Sequence, residues 1–231
     1  MAPGTRTDVT LVTGRGRFKH QSGDICHPVL ESGRSLSEHH SMKSDPVRDQ
    51  MIKQRRSLAD DAVQRASART MARVMELDEF QAAGRFAAYV GMRGEIDPWP
   101  SLLAENLCVA LPVIQPRGDL EFVIPEGPLQ PGPFGTSQPA SGERVRPERL
   151  DVVLVPLVAA DRRGNRIGHG AGYYDRTFAF RLSQPTPPTL IGIAHSFQVV
   201  PVLEPRSWDV PLDILVTDKG ILRPKPPIGE D

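Results

Sequence analysis

The sequence predicts an α/β domain in which helices cover both faces of a mostly parallel central sheet. Short apolar runs, typical of buried strands, alternate along the chain with segments whose apolar residues recur at helical spacing. The run from Leu150 to Pro156 is almost continuously apolar and β-branched, as expected for a central strand that is buried on both faces. These observations favour a single Rossmann-like, three-layer domain.

The charge balance of the chain argues against nucleic acids and anionic membranes as binding partners. The chain has 231 residues, with 28 Lys plus Arg and 28 Asp plus Glu, so its formal net charge is zero. Nucleic acids and anionic membranes require a large basic face, and we therefore expect no nucleic-acid partner and no membrane partner. A local cationic pocket for a compact phosphate ligand is compatible with this balance. We expect a monomer that acts on a small molecule.

Cysteine usage and the lack of targeting signals indicate the compartment. Cys26 and Cys108 form no CxxC pair and cannot staple a chain of this length, which favours a reducing environment. No apolar stretch reaches the length of a signal-peptide core or a membrane span. We therefore predict a cytoplasmic protein.

The N-terminal residues 1–44 are rich in Gly, Ser, Arg and His and follow neither a helical nor a strand period. We expect a disordered extension or the product of an upstream start codon, with Met42 and Met51 as alternative starts. The histidines and Cys26 in this segment lack zinc-like spacing. The folded domain is predicted at residues 45–223, with a flexible tail at 224–231.

The domain begins with two predicted helices. Asp45 and Pro46 are an N-cap residue followed by proline at the first helical position, and apolar stripes then run over residues 47–52 and 63–75. The opposite faces carry basic residues, most of which we expect to be solvated: Arg48, Lys53, Arg55, Arg56, Arg65, Arg69 and Arg73.

Strands and helices then alternate along the chain. Before the central strand, the predicted elements are strands at 85–90, 109–114 and 120–124, a helix from Asp97 through Asn106, and a long Pro- and Gly-rich loop at 125–148. After it, the predicted elements are a helix from Tyr173 through Leu182 and buried strands at 189–194 and 213–217.

The segment from Arg166 to Arg176 is the strongest candidate for a binding site. Its alternating glycines are Gly168, Gly170 and Gly172. Such a backbone lets N–H groups approach an anion closely and tolerates the dihedral angles that make successive amides converge. The spacing matches neither a P-loop nor a dinucleotide-binding turn, so spacing alone leaves a phosphate site and a plain flexible turn equally open.

The residues around these glycines favour the phosphate site. A helix that starts at Tyr173 would add its N-terminal dipole to the attraction, and Arg166 and Arg176 would supply positive charge. Asp175 is placed to hold a divalent metal beside phosphate oxygens. Because Tyr173, Tyr174 and Asp175 follow the glycines without a break, a phosphate site is favoured over a plain flexible turn.

The motif Val155–Asp161 followed by Gly164–Arg176 closely resembles the 5-formyltetrahydrofolate cyclo-ligase family, also called methenyltetrahydrofolate synthetase. Other stretches that resemble the family occur in the same order: Tyr89–Asp97, Ile191–His195, Gln198, Trp208–Pro211 and Val216–Thr217. The resemblance covers roughly residues 46–222 and is weakest in the loop at 125–148.

The resemblance implies an ATP-dependent, Mg²⁺-dependent enzyme that converts 5-formyltetrahydrofolate to 5,10-methenyltetrahydrofolate, with release of ADP and phosphate. Transfer of the γ-phosphoryl group to the formyl oxygen turns that oxygen into a leaving group, and N10 of the same folate then closes on the carbon. No protein nucleophile is required.

The resemblance also assigns roles to individual residues. ATP is expected to contact Arg48, Arg166, Gly168, His169, Gly170, Ala171, Gly172, Tyr173 and Tyr174. The folate is expected to contact Val90, Glu95, His169, Gly170, Ala171, Gly172 and Tyr173. Arg166 and Tyr173 are expected to support phosphoryl transfer, and Asp175 and Asp209 to hold Mg²⁺. Glu95 would hydrogen-bond the pterin ring, and His169 would lie beside the phosphates without acting as a general base.

Structural roles remain open for several of these residues. Tyr173, Tyr174 and Val90 are also compatible with core packing, Asp209 with a loop cap, and Glu95 with a surface turn. Gln198 is a weaker candidate for a contact with substrate, and His169 is also compatible with a neutral, exposed imidazole.

The first helix departs from the family pattern. Family members commonly place a lysine four residues before the arginine that Arg48 matches, but position 44 is Ser and the nearest lysine is Lys43. Lys43 is therefore a candidate ATP ligand, with Arg55 and Arg56 as alternatives. Two other functions stay open: a related enzyme for another formylated, pterin-like substrate, and a non-catalytic nucleotide or folate sensor.

Overall fold

The computed structural model of the chain describes residues 45–115, 118–184 and 186–224. The predictions for residues 1–44, which include the candidate ATP ligand Lys43, lie outside the described residues, as do residues 225–231 of the predicted tail. Within the described ranges, no helix is long and apolar enough to cross a membrane.

The helices and strands alternate through most of the chain. The helices are α1 (Pro46–Arg56), α2 (Asp60–Met75), α3 (Asp78–Gln81), α4 (Trp99–Ala104) and α5 (Tyr173–Thr177). The strands are β1 (Phe86–Ala87), β2 (Val109–Ile114), β3 (Leu120–Pro125), β4 (Leu129–Pro131), β5 (Ser137–Pro139), β6 (Gly142–Val145), β7 (Val152–Pro156), β8 (Ala159–Ala160), β9 (Arg166–Ile167), β10 (Thr189–Ala194), β11 (Ile214–Thr217) and β12 (Gly220–Leu222).

One eight-stranded sheet organises the domain, in the order β12-β11-β10-β7-β1-β2-β3-β6. The contiguous strands β11, β10, β7, β1 and β2 are parallel to one another. The edges are antiparallel, because β12 pairs with β11 on one side and β3 and β6 extend the sheet on the other. The prediction of a mostly parallel sheet with β7 at its centre is confirmed.

The two faces of the sheet are both covered, which explains why β7 is apolar almost throughout. Side chains alternate along a strand, so Val152 and Leu154 pack with the core that includes Met71 of α2, whereas Val153 and Val155 pack with the core that includes Phe178. The predicted three-layer arrangement is therefore confirmed.

Helix α1 begins where the sequence predicts and lies against the start of the glycine-rich segment. The Asp45 carboxylate accepts hydrogen bonds from the backbone N–H groups of Val47, at 3.0 Å, and Arg48, at 3.3 Å. Met51 packs against Val158 and Ala159, at the β8–β9 hairpin. This contact brings the arginines of α1 toward the loop that follows β9.

Three local predictions are wrong or too long. The predicted loop at 125–148 contains β4, β5 and β6, and β6 pairs with β3 at the sheet edge, where prolines nearby are tolerated. The strand predicted at 85–90 pairs with both neighbours only at β1. The helix predicted from Tyr173 to Leu182 leaves helical geometry at Phe178, which is fully buried beside Phe122, and resumes as a 3₁₀ turn at Ala179–Leu182.

Candidate active site

Glu95 and two residues near it lie at the carboxyl ends of the parallel strands. The turn that carries Glu95 follows β1, Leu157 follows β7, and His195 follows β10. Strand order reverses between β1 and β7, because the chain continues from β1 to β2 on one side and reaches β7 on the other. In open α/β sheets, the crevice outside the carboxyl ends at such a reversal is where ligands bind.

The glycine-rich loop, defined as Gly168–Gly172, connects β9 to α5 and leaves its backbone N–H groups available. In the part of the chain that the structure describes, none of these five amides donates to a protein acceptor. Gly170 and Gly172 have φ angles of 99° and 65°, which other residues rarely adopt. Amides that have no protein acceptor are available to an anion such as a phosphate.

Arginines from two sides fix the loop. Arg48 donates from Nε to the Gly168 carbonyl oxygen at 2.9 Å, and Arg176 donates from Nη1 to the Ala171 carbonyl oxygen at 2.7 Å. Arg176 also lies over the ring of Tyr173, with 5.5 Å from its guanidinium carbon to the ring centre. Because α5 has only five residues, the helix dipole expected here contributes little, and the bare amides and the arginines carry the attraction for an anion.

A buried carboxylate shapes the turn that leads into the loop. Asp161 has no exposed surface and accepts hydrogen bonds from the backbone N–H groups of Arg163, Asn165 and Leu203 at 2.9–3.0 Å. These contacts set the turn between β8 and β9. Asp161 therefore has a structural role within the motif that carries the family resemblance.

Asp175 and Asp209 lie on neighbouring segments. Asp175 Oδ1 accepts from Arg166 Nη2 at 2.8 Å and from the backbone N–H of Val210 at 3.1 Å, which joins α5 to the segment that carries Asp209. Asp209 Oδ2 accepts from the backbone N–H of Arg206 at 2.8 Å, so the loop-cap role left open by the sequence is present.

Each of the two carboxylates keeps one oxygen that could serve as a ligand for a cation. Within the described ranges, the hydrogen bonds engage Oδ1 of Asp175 and Oδ2 of Asp209, which leaves one oxygen on each carboxylate. No group of three or more His, Cys, Asp or Glu side chains forms a metal cage among these residues. Mg²⁺ usually takes only one or two carboxylates together with phosphates and water, so two aspartates suffice.

Glu95 is buried, and the surface-turn interpretation is wrong. Its side chain is 7% exposed, with Oε1 at 3.2 Å from Nη1 of Arg55. Oε2 accepts from the backbone N–H of Met92 at 3.2 Å. Burial raises the pKa of Glu95 above its ordinary value, and the adjacent Arg55 opposes this rise. Val90 lies half-buried at the start of the same turn.

Arg55 is an exception to the solvated helix face that we expect for most of these basic residues. Only 1% of its side chain is exposed, and its guanidinium donates to the Leu157 carbonyl oxygen at 3.4 Å and contacts His169 Nε2 at 3.0 Å. Position 55 continues the buried stripe of Val47 and Met51 at intervals of four residues. This spacing of four residues places Arg55 on the inner face of α1 and the exposed Arg56 outside it. The spacing is the signal that sequence reasoning missed.

His169 is neutral in this setting. A guanidinium has only donors, so His169 Nε2 is the acceptor and the ring proton lies on Nδ1. The His169 side chain is 48% exposed, so its ring is only partly buried. This partial burial, and then the positive charges of Arg55, Arg93, Arg56 and Arg48, lower the pKa of His169 to about 4.

Replacing His169 with glutamine is therefore expected to leave the pH dependence of kcat/KM unchanged between about pH 5.5 and 8. The imidazole is already neutral in that range, and an amide is neutral at every pH. Steady-state kinetics across the range check this expectation. Loss of a limb of the pH profile in His169→Gln would instead show that the imidazole takes up or releases a proton during turnover.

The remaining candidates divide between core and site. Gln198 is 1% exposed and is committed to the backbone, since its side chain bonds His195 N–H, Leu157 O and Val158 O. Tyr174 stacks on Phe178, with 6.1 Å between ring centres, and burial raises the pKa of its hydroxyl. Both tyrosines pack against the core on this face of the sheet. Tyr174 adds the stack on Phe178, whereas Tyr173 also contacts Arg176 beside the loop.

Comparisons with known proteins agree with this geometry. The profile of the 5-formyltetrahydrofolate cyclo-ligase family matches residues 40–218. The chain is 34% identical over 186 residues to a 5-formyltetrahydrofolate cyclo-ligase of Haemophilus influenzae, covering 76% of this chain and 98% of the relative. It is 36% identical over 183 residues to that of Escherichia coli, covering 74% of this chain and 98% of the relative.

Among solved structures, the fold is similar to that of the 5,10-methenyltetrahydrofolate synthetase of Aquifex aeolicus. The TM-score is 0.67 at 31% sequence identity, and the match covers 80% of this chain and 95% of the other.

Proposed function

Because the chain belongs to the 5-formyltetrahydrofolate cyclo-ligase family, we propose that the site between Glu95 and the glycine-rich loop closes 5-formyltetrahydrofolate to 5,10-methenyltetrahydrofolate at the expense of ATP. The observation that supports this location is that Arg55 contacts both proposed subsites. Its guanidinium lies beside the buried carboxylate of Glu95 and also contacts His169 of the glycine-rich loop. ADP and phosphate are the other products.

The chemistry requires activation of a poor electrophile. The formyl group on N5 is amide-like, and its oxygen is a bad leaving group. When the bond from the γ-phosphorus to ADP breaks and a bond to the formyl oxygen forms, that oxygen can leave with the phosphate. N10 then bonds to the formyl carbon, and its proton is lost to solvent. The protein supplies position and charge for these steps rather than a nucleophile.

Different groups of the protein would hold the folate and the ATP. The Glu95 carboxylate would accept from the amino and ring N–H groups of the pterin, and Val90 would form part of the wall of the folate pocket. The amides of the glycine-rich loop, with Arg48 and Arg166, hold the phosphates of ATP. Tyr173, at the end of the loop, lies where the two ligands would meet.

Asp175 and Asp209 would hold Mg²⁺ beside the phosphates. When bound, the ion neutralises charge on the phosphate oxygens during phosphoryl transfer. Asp175 has a second task, because the same carboxylate accepts from Arg166 Nη2 at 2.8 Å and so directs that guanidinium. Arg166 has a side chain that is only 5% exposed, which favours a strong interaction with a phosphate in its vicinity.

The proposed function is tested by near-ultraviolet absorbance of the purified protein mixed with 5-formyltetrahydrofolate. The methenyl product has a band that the substrate lacks, and we expect it only when ATP and Mg²⁺ are both present. Release of ADP is measured in parallel, with mixtures lacking folate as the control. ATP or folate binding without product or ADP would contradict the enzyme and favour the sensor.

A further inference from the structure

Arg55 connects three parts of the site through one buried side chain. Its guanidinium reaches Glu95 Oε1 at 3.2 Å, the Leu157 carbonyl oxygen at 3.4 Å and His169 Nε2 at 3.0 Å. These partners follow β1, β7 and β9, respectively. Because the guanidinium is planar and Nη1 and Nη2 contact different partners, the position of one partner constrains the others.

We propose that Arg55 is a positioning residue that orients the Glu95 carboxylate for the pterin and joins it, through His169, to the glycine-rich loop. This inference rests on the proposed role of Glu95 in folate binding. It goes further, because it makes one guanidinium on α1 responsible for both the folate subsite and its coupling to the nucleotide subsite.

The charges around Glu95 single out Arg55. The titratable and charged groups that face Glu95 are Arg55 on α1, Arg93 and Asp97 on its own turn, His169 on the glycine-rich loop, Tyr89 after β1 and Tyr174 on α5. Burial keeps the two tyrosines neutral, and His169 is neutral above about pH 4.

Within this set, Arg55 is the buried cation. Arg93 is exposed and donates to the Phe134 carbonyl oxygen at 3.2 Å, so its charge is partly screened by water. Asp97 is an acid and works against ionisation of Glu95. A buried carboxylate without a close cation takes up a proton, and a protonated carboxyl group loses one of its acceptor oxygens for the pterin.

The contact with His169 extends this arrangement to the nucleotide. His169 lies between Gly168 and Gly170, whose amides are proposed to hold phosphate. Its Nε2 accepts from Arg55 and lies 3.9 Å from Glu95 Oε1. A phosphate bound to the loop amides adds to the contacts that hold His169 and, through His169, to those that hold Arg55 and Glu95. ATP and folate should therefore bind more tightly together than separately.

Binding experiments on the full chain test the inference. The Kd of 5-formyltetrahydrofolate is measured by calorimetry from pH 5 to 8, with and without a non-hydrolysable ATP analogue and Mg²⁺. In Arg55→Met, we expect the Kd at pH 7 to rise about 10- to 100-fold. We also expect the pH below which folate binding weakens to move upward by about 1 to 3 units, and the effect of the ATP analogue to be lost.

Arg181 provides a matched control. It is also a buried arginine, 4% exposed, and pairs with Asp213. Asp213 lies at the amino-terminal end of β11, whereas the site lies at the carboxyl ends of the strands. Arg181→Met should lose stability as any broken buried pair does, yet keep the wild-type pH dependence of folate binding and the wild-type effect of the ATP analogue. A change in Arg181→Met equal to that in Arg55→Met would reduce the role of Arg55 to general stability.

Arg55→Lys keeps the test decisive if Arg55→Met does not fold. Lysine restores the positive charge near Glu95 but cannot contact Glu95 and His169 with a rigid fork. We expect a pH dependence close to wild type, together with loss of the effect of the ATP analogue. Wild-type coupling in Arg55→Lys, or an unshifted pH dependence in Arg55→Met, would overturn the inference. Absence of methenyl product with the wild-type protein would instead overturn the proposed function.

Discussion

Alanine at position 175 is expected to lower kcat by about 10³-fold while leaving the fold in place. The carboxylate serves two groups at once, because it is a proposed Mg²⁺ ligand and it accepts hydrogen bonds from Arg166 and from the Val210 backbone. Asp175 lies half-buried in a short surface helix and not in the core, so its removal should cost only about 2 kcal/mol of stability.

Asp175→Asn separates the two tasks. Asparagine retains an oxygen that can accept from Arg166 and Val210, but it lacks the charge that a magnesium ligand provides. We expect the melting temperature of Asp175→Asn to lie above that of Asp175→Ala while its kcat remains equally low. The measurements are thermal unfolding, the rate at which the methenyl band appears, and its dependence on Mg²⁺ concentration. Near-normal turnover of either variant at saturating Mg²⁺ would remove Asp175 from the metal site.

The fold was predictable because its signals are local and redundant. Runs such as 109–114 and 189–194 are long enough and apolar enough to mark buried strands, and both are strands with those bounds. The start of α1 followed from Asp45 and Pro46, whose preference for the helix terminus is intrinsic to their chemistry. Parallel pairing then followed from the alternation of strands with helices.

The errors arose where tertiary contacts override local preference. Residues 125–148 are dense in Pro and Gly, which marks turns, but three short strands fit between those turns. Their pairing with β3 or with each other depends on partners that local composition does not reveal. Likewise, the helix that begins at Tyr173 ends because the chain turns to bury Phe178 against the sheet.

The candidate site also contains residues that the sequence predicted and contacts that it did not. The glycine-rich loop, Asp175 and Asp209 were recognisable as a motif, and the structure brings Asp175 into contact with the segment that carries Asp209. Arg55 was considered only as an alternative to Lys43 beside ATP. Its buried contact with Glu95 was not expected, since arginine on an amphipathic helix is usually solvated. Its burial depends on a carboxylate that is 40 residues away in sequence, and only the assembled fold places the two side chains together.

Replacing Glu95 with glutamine is expected to lower kcat/KM for 5-formyltetrahydrofolate by about 10²- to 10³-fold, with the Kd of ATP changed by less than about threefold. The amide has one acceptor oxygen in place of two and presents N–H groups to the donors of the pterin. Glu79→Gln is the matched control, because Glu79 also pairs with an arginine, Arg223, but lies on the exposed helix α3 outside the site. That variant should keep wild-type kinetics.

The same substitution makes a prediction about stability. Burial raises the folded-state pKa of Glu95, so its contribution to stability is fully present below the unfolded value near 4.5 and is lost as the pH rises through the raised folded value. Glu95→Gln should remove that part of the pH dependence of the melting temperature. At neutral pH it leaves the charge of Arg55 buried without its partner, which should cost about 3 kcal/mol.

The double variant Arg55→Met/Glu95→Gln should recover much of that loss in stability, because neither charge remains buried. Its kcat/KM should stay as low as that of Glu95→Gln, because the amide presents N–H groups to the donors of the pterin. Chemical denaturation at pH 7 and the methenyl band measure the two effects on the same samples. If Glu95→Gln bound and converted 5-formyltetrahydrofolate as well as the wild type, the buried pair of Arg55 and Glu95 would serve only to stabilise the fold. Other groups would then have to bind the pterin.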